Sequence, residues 1–540
     1  MSCSSRSFVV LFAFLFGTQA HAHEGEDHGG VPAVVEGDAV VVQADDFAAG
    51  KSEIRYFVKD GNGKMRELET PAGMKNPNLI TGDKIRVKGH VHKGKPDAIL
   101  LDEQVQGLGG TTGTATGSTA AAVSGTKTAL AIITEFSDAT VSGCTDTTVA
   151  ASLFGPLPTT SVATYFDETS RGTVGITGNV IRVKLPRTMG TTCDSAAYSG
   201  WYNDATTEAS KSISLAGFTH KIIVLPANLP CSWAGLGTIG GGRTWTKYCS
   251  NVRIYAHELG HNFTMHHSAK EGQAEYSDYS DVMGSALVPV NAPHSAQMGW
   301  TPATNILEVK SSGTYRITSL EVDSSAAITP QILKVFKEDT NEFLYFSLRS
   351  KLGKYGATLG TEYADRLNVH RFGSSAEPFT RLLGTYAGTQ TFSSSGIGLT
   401  VTPMVLNGTT MDVQVTLSGT CIRRAPTLLV SSMPTVAPGQ TGSVNVSVKN
   451  NDSYYCSSST FSTAATISGV TVTRSASSLT IAPGASASYQ ISIATTTTTP
   501  VATYSGSTSV SDASVSGHAA SASFGIIVKT PTTKGRGRYK

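Results

Sequence analysis

Ile254-Tyr255-Ala256-His257-Glu258-Leu259-Gly260-His261-Asn262-Phe263-Thr264-Met265-His266-His267 is the stretch around which the chain is organised. Residues four apart share one face of a helix, so His257 and His261 can present imidazole nitrogens to one cation while Glu258 sits beside them. That is half a zinc site with its base. HExxH alone is of moderate specificity, because polar helices carry it by chance and histidine pairs also cap helices or lie on surfaces. The residues that follow are more telling. A third ligand six residues past the second histidine, after the chain has turned back, completes a three-histidine site with one position left for water. His267 stands there.

Further on, Ser280-Asp281-Val282-Met283-Gly284 places a methionine where it can form an apolar floor under the ligands. HExxHxxxxxH with a methionine turn resembles the metzincin signature, HExxHxxGxxH plus Met-turn. Thr264 occupies the metzincin glycine position. Glycine adopts positive φ there without cost and a β-branched residue does not, so the sequence predicts either a different turn or His266 competing with His267. Another reading keeps the metal and takes Glu271 or Glu275 as third ligand, as in gluzincins. Asp281 is a candidate acceptor supporting the turn or a ligand, and His294 and His370 read as structural or surface histidines.

At 540 residues the chain is too long for one core. A net charge of +2 with 15% charged residues gives no electrostatic case for nucleic acid. Residues 1–22 carry Arg6, an apolar run from Phe8 to Phe16 and Ala20-His21-Ala22, the pattern of a secretory signal peptide. No later segment is long and apolar enough to span a bilayer, so the expected protein is exported, without a membrane span. Cys3 leaves with the signal; Cys144, Cys193, Cys231, Cys249, Cys421 and Cys456 remain, an even number suited to disulfides. Proximity along the chain favours Cys231 with Cys249 and Cys421 with Cys456, which leaves Cys144 with Cys193.

The His23–His28 tract reads as a solvated tail. Residues 23–106 hold strand-like pieces around the turn signal Asp60-Gly61-Asn62-Gly63 and read as a small OB-like β-barrel. Residues 107–126, rich in Gly, Ser, Thr and Ala, read as a flexible linker. Strands and helices then alternate through residues 127–300, with a helical stretch over 149–165. Gly235-Leu236-Gly237-Thr238-Ile239-Gly240 matches GxGxxG by letter, yet no strand immediately precedes it and no ribose-binding acid follows. It reads as a loop beside the cleft. Residues 301–420 form a β-rich domain packed on the catalytic unit, 421–529 an immunoglobulin- or fibronectin-like sandwich, and 530–540 a basic tail too short to argue nucleic-acid binding.

Tyr165-Phe166, Ser170-Arg171-Gly172, Cys231-Ser232-Trp233-Ala234-Gly235, Gly240-Gly241-Gly242, Trp245, the HELGH helix, the Met283 turn, Asn291-Ala292-Pro293 and Gly299-Trp300 resemble the gametolysin family of metzincin peptidases. The resemblance covers about residues 129–349, with weaker support to 417. It implies an α+β architecture: a metzincin-like catalytic domain, a twisted sheet with an active-site helix, flanked by a β-barrel-like N-terminal domain and a β-sandwich C-terminal domain. It further implies a secreted zinc endopeptidase acting on extracellular or cell-wall proteins, with His257, His261 and His267 holding Zn2+, Glu258 as general base and acid, and Met283 as the Met-turn residue. In such a protease the barrel is a candidate propeptide, an accessory β-domain being the plainer reading. No cysteine lies between Cys3 and Cys144, so no thiolate from this segment can cap the metal and latency would need another ligand. The competing function is a secreted adhesion or binding protein whose metzincin-like domain is inactive through Thr264.

Overall fold

A computed structural model describes residues 30–92, 94–108, 122–373, 377–419 and 421–530. The signal-like segment, the His23–His28 tract, most of the 107–126 linker and nearly all of the basic tail lie outside these residues. Two compact units are present, one of Met1–Val40 with Arg55–Thr111, the other of Val41–Ile54 with Thr112–Lys540. The chain is mostly β, with several separate sheets. Among the described residues no helix is long and apolar enough to cross a membrane.

In the first unit five strands close on themselves. Pro32–Asp38 pairs antiparallel with Lys84–His92, which pairs with Lys95–Leu101. That strand runs parallel to Met65–Glu69, the antiparallel partner of Tyr56–Lys59, and the ring is completed between the first two strands in sequence. The order first, second, third, fifth, fourth, first is that of an OB barrel. Its core is Ala39, Val58, Leu68, Ile85, Val87, Ile99 and Leu101, set inward by the period-two alternation of each strand.

The second unit carries the site on a mixed sheet. Gly125–Glu135 runs parallel to Val174–Lys184 on one side and to His220–Val224 on the other, and Arg243–Thr246 continues the parallel set. Gly235–Thr238 is antiparallel to Arg243–Thr246. The hydrophobic run Ala129-Leu130-Ala131-Ile132-Ile133 is buried throughout, as befits a parallel strand covered on both faces. The GxGxxG letters therefore form a strand and its turn, where a loop is predicted. The predicted 149–165 helix is two, Asp146–Phe154 and Val162–Thr169. Pro156 and Pro158 break the run, since proline removes a donor and pushes the preceding residue out of the helical region, and Ser161 restarts it with a capping box.

Downstream, a six-stranded sheet and a four-stranded sheet share the core of Val335, Leu344, Phe346, Val369, Leu399, Val401 and Val413. The six-stranded sheet includes Ser268–Lys270, immediately after His267, paired parallel with Thr380–Leu382. Residues 427–528 form two sheets of four and five strands around Val444, Val446, Val448, Phe461, Ile491, Ile493 and Phe524.

Of the expected disulfides only Cys421–Cys456 forms; the others are Cys144–Cys249 and Cys193–Cys231. Nearness in sequence favoured Cys231 with Cys249 across the Gly235–Thr246 hairpin. Beyond the hairpin, however, Cys249 turns toward the core around the active-site helix, where Cys144 is already buried and where the Tyr255 hydroxyl donates to the Cys249 carbonyl. Cys231 is outside that core and takes Cys193, beside the N-cap of the helix Ser195–Ser210.

Candidate metal centre

The active-site helix is Val252–Asn262. The Asn251 side chain caps it by accepting from the Ile254 amide, and ten of its eleven residues are buried. One face meets the sheet and another the core of Tyr165, Phe166, Met265, Met283 and Trp300. Its end is a Schellman motif: the Met265 amide donates to the Gly260 carbonyl at 3.0 Å and the Thr264 amide to the His261 carbonyl at 2.9 Å. This motif requires a left-handed residue at its turn, and Thr264 supplies it with φ 77°. Thr264 thus leaves the turn intact and accepts the strain, with its hydroxyl buried and without a hydrogen-bond partner.

The turn delivers His267 to the helix face. The His267 and His261 Nε2 atoms are 3.3 Å apart, and the His257 ring centroid lies 4.9 Å from that of His261 and 5.3 Å from that of His267. Each helix histidine is oriented from behind. His257 Nδ1–H donates to the Val282 carbonyl and His261 Nδ1–H to the Met265 carbonyl, both at 2.8 Å. With Nδ1 protonated, Nε2 carries the lone pair and faces inward.

A fourth group joins them that sequence reasoning missed. Asp45 Oδ2 lies 3.0 Å from His261 Nε2 and 3.5 Å from His257 Nε2, and Oδ1 lies 2.9 Å from His267 Nε2. These four residues form a group whose ligating atoms all lie within 4.8 Å of one another. Ligands about 2.0–2.1 Å from a tetrahedral centre stand about 3.3–3.4 Å apart, so the spacing fits a divalent metal ion. His257 Nε2 is buried without a hydrogen-bond partner, an orphan that a metal would satisfy. Burial raises the Asp45 carboxyl, but His267 and His261 outweigh it and hold the group well below the ordinary carboxylate range. The only signal for Asp45 in the sequence is an acidic pair after an apolar strand, too common to single out.

Glu258 follows His257 and is also 0% exposed, and neither of its carboxylate oxygens has a hydrogen-bond partner. Burial first, and then the charge of Asp45, push its pKa well above the ordinary value. The strand Gly235–Thr238 crosses directly over it: a Cβ on Gly235 would overlap the Glu258 carboxylate, and one on Gly237 would meet the Glu258 carbonyl and His261 Cβ. Gly235 and Gly237 therefore serve the close approach of this strand to Glu258.

The other candidates take supporting places. Glu275 Oε2 is 3.7 Å from His267 Nδ1, on the side away from the donor cluster, and Glu271 pairs with Arg371 at 2.9 Å. Neither belongs to the donor cluster. His266 is buried but outside the cluster, and burial among neighbouring histidines pulls its pKa down to about 3. Met283 packs against Gly260 under the ligands. Asp281 pins that turn: one oxygen accepts from the Met283 amide at 2.7 Å, the other from the Asn291 amide at 2.7 Å and His294 Nδ1 at 2.9 Å. His294 and His370 are buried structural groups, the latter 3.1 Å from Asp278. Tyr276, at φ 63°, lays its ring 4.5 Å from that of His267 and donates its hydroxyl to Asp45 Oδ1 at 2.9 Å.

Three converging imidazoles beside a buried carboxylate, that of Glu258, are the kind of donor set and base a metallopeptidase uses, and Asp45 stands at the fourth corner of the cluster. Comparison with known proteins points the same way: residues 128–382, a little under half of the chain, match the model of the gametolysin peptidase M11 family, which supports a gametolysin-like peptidase family for this region. No curated protein matches the chain. Solved structures overlap it in part. A family 123 glycoside hydrolase from Clostridium perfringens aligns at 11% identity and TM-score 0.17 over 20% of this chain and 28% of its own. A FixG-related protein from Vibrio parahaemolyticus aligns at 10% and 0.17 over 20% of this chain and 98% of its own. The secreted serine protease VesC from Vibrio cholerae aligns at 12% and 0.14 over 34% and 41%. The chain thus spans little more than a quarter of the first of these.

Proposed function

We propose that the protein is an exported, zinc-dependent endopeptidase of the metzincin class that hydrolyses peptide bonds of extracellular or cell-wall proteins. The observation that carries this reading is the convergence of the His257, His261 and His267 Nε2 atoms beside the unpartnered carboxylate of Glu258. The export-type N-terminus and the even set of paired cysteines support the location.

When bound, zinc supplies a Lewis acid that brings the pKa of a water toward neutrality and polarises the scissile carbonyl. His257 and His261 hold their ligand tautomer through the Val282 and Met265 carbonyls. Glu258 accepts the proton of the attacking water and delivers it to the leaving amine. Its apolar surroundings raise its basicity, which suits a group that must both take and give a proton. Gly235 and Gly237 keep the space between Glu258 and their own strand clear of side chains.

The test is Glu258→Gln in material freed of Val41–Ile54. Zinc content stays stoichiometric and hydrolysis of casein or a peptide library falls by at least about 100-fold, the lower end for loss of a general base. Unchanged hydrolysis would sink the proposal.

A further inference from the structure

Residues Val41–Ile54 are about 200 positions from the helix Val252–Asn262 in sequence, yet they sit on its histidines. Val42–Asp45 adds an antiparallel strand to Gly235–Thr238. The Ile239 amide donates to the Val41 carbonyl at 2.9 Å and the Ala234 amide to the Asp45 carbonyl at 2.7 Å. Gln43 and Asp45 share one face of this strand by alternation and are both fully buried. Two residues on, the Phe47 ring stands edge-on to His257 at 4.8 Å and under the Arg253 guanidinium at 4.4 Å. Tyr276 clamps the segment twice, donating to Asp45 Oδ1 and to the Lys51 carbonyl at 3.1 Å.

A peptidase must bring an extended polypeptide against its base and ligands. Asp45, His257, Glu258, His261 and His267 are each 0% exposed, so no substrate chain reaches them while this segment is in place. Extended peptides dock by adding a strand to a sheet edge, and Val42–Asp45 already holds that edge.

We propose that Val41–Ile54 is an autoinhibitory strand: Asp45 takes the fourth position of the metal site, Val42–Asp45 occupies the edge on which an extended substrate would pair, and the enzyme is latent until the segment is displaced. This rests on the metallopeptidase reading of the same site. A carboxylate oxygen is a competent ligand for zinc, and it serves here where the sequence offers no thiol. The grip is strong but not complete, because both side-chain amide atoms of Gln43 are buried without hydrogen-bond partners, which costs binding strength and favours release.

The experiment uses the full chain carrying Glu258→Gln, which prevents self-cleavage, loaded with zinc and titrated calorimetrically with a peptidyl hydroxamate. The protein with Asp45 intact binds weakly. Addition of Asp45→Ala tightens binding by about 100-fold or more, the factor for a cover closed about 99% of the time, with zinc content unchanged. A second form keeps Asp45 and carries a recognition site for a specific protease in the turn at 47–50; cutting it gives the same gain and decides the matter if Asp45→Ala fails to fold. Equal hydroxamate affinity in the intact and cut forms, with zinc bound, overturns the inhibitory strand and leaves the peptidase reading standing. Absence of zinc from every form overturns the peptidase reading, and this inference with it.

Discussion

Gly260 and Met283 meet without room for a methyl group between them: a Cβ on Gly260 would overlap the Met283 sulfur. The glycine of HELGH is thus the seat of the methionine turn. Gly260→Ala removes a helix-interior glycine, worth about 1 kcal/mol in the protein's favour, and overpacks a closed contact, worth about 1–3 kcal/mol against it. The overpacking wins. Urea melts will show net destabilisation, and the variant will hold a divalent metal ion less tightly because Val282, which orients His257, lies beside Met283.

Thr264 carries left-handed strain in a motif built for glycine. Relief of that strain is worth about 1–3 kcal/mol against an entropy cost of about 0.4–1 kcal/mol for a new glycine. Thr264→Gly will therefore raise the melting temperature with activity retained. A fall in melting temperature would show that the Thr264 contacts outweigh the strain.

Asp281 is fully buried and its two oxygens accept three donors, from Met283, Asn291 and His294. Asp281→Asn turns an acceptor into an NH2 group aimed at donors and forfeits hydrogen bonds to charge worth about 1.5–3 kcal/mol each. The variant will lose at least about 2 kcal/mol of stability and will release its metal to a chelator faster than the unmodified protein.

Burial raises the pKa of Asp278, but bonds from His370, Ser268 and Ser280 outweigh it and hold the carboxyl well below the ordinary carboxylate range. A depressed carboxylate contributes stability that is fully present above its unfolded pKa and is lost as pH falls through the folded value. Stability against pH for the unmodified protein and Asp278→Asn will differ most near neutrality and converge on acidification below the ordinary carboxylate range. Parallel curves down to strong acid would contradict this account.

Removal of the metal strips a fully buried group of ligands of its charge partner, and the affinity of a preformed site is folding energy. Chelation with 1,10-phenanthroline will lower the melting temperature of the cut form more than that of the intact chain, in which Asp45 still faces the histidines. Differential scanning calorimetry of the two forms checks it.

The convergence of His257, His261 and His267 is legible in the sequence because metal chemistry fixes spacing: i and i+4 on one face, then a turn of set length. The methionine turn was legible for the same reason. Asp45 was not, because its role comes from strand pairing across the sheet edge, with register Val42 to Thr238, and nothing local to Asp45-Asp46 marks that partner. Sequence distance pairs Cys421 with Cys456 correctly but mispairs the other four cysteines, because it carries no information about which layer a residue enters. Thr264 misleads in the other direction: its intrinsic preference opposes the turn, and the hydrogen bonds of the helix end override it.

The short strand Ser268–Lys270 begins at the residue after the third ligand and is stitched to Thr380–Leu382, with the Thr380 amide donating to the His267 carbonyl at 3.1 Å. Asn291 adds a side-chain bond to Thr380, and the Arg349 guanidinium reaches the Ser280 and Pro289 carbonyls on either side of the methionine turn. The histidine cluster is therefore not severable at Trp300. A truncation there would retain every letter of the motif while cutting away the scaffold on which its last histidine hangs.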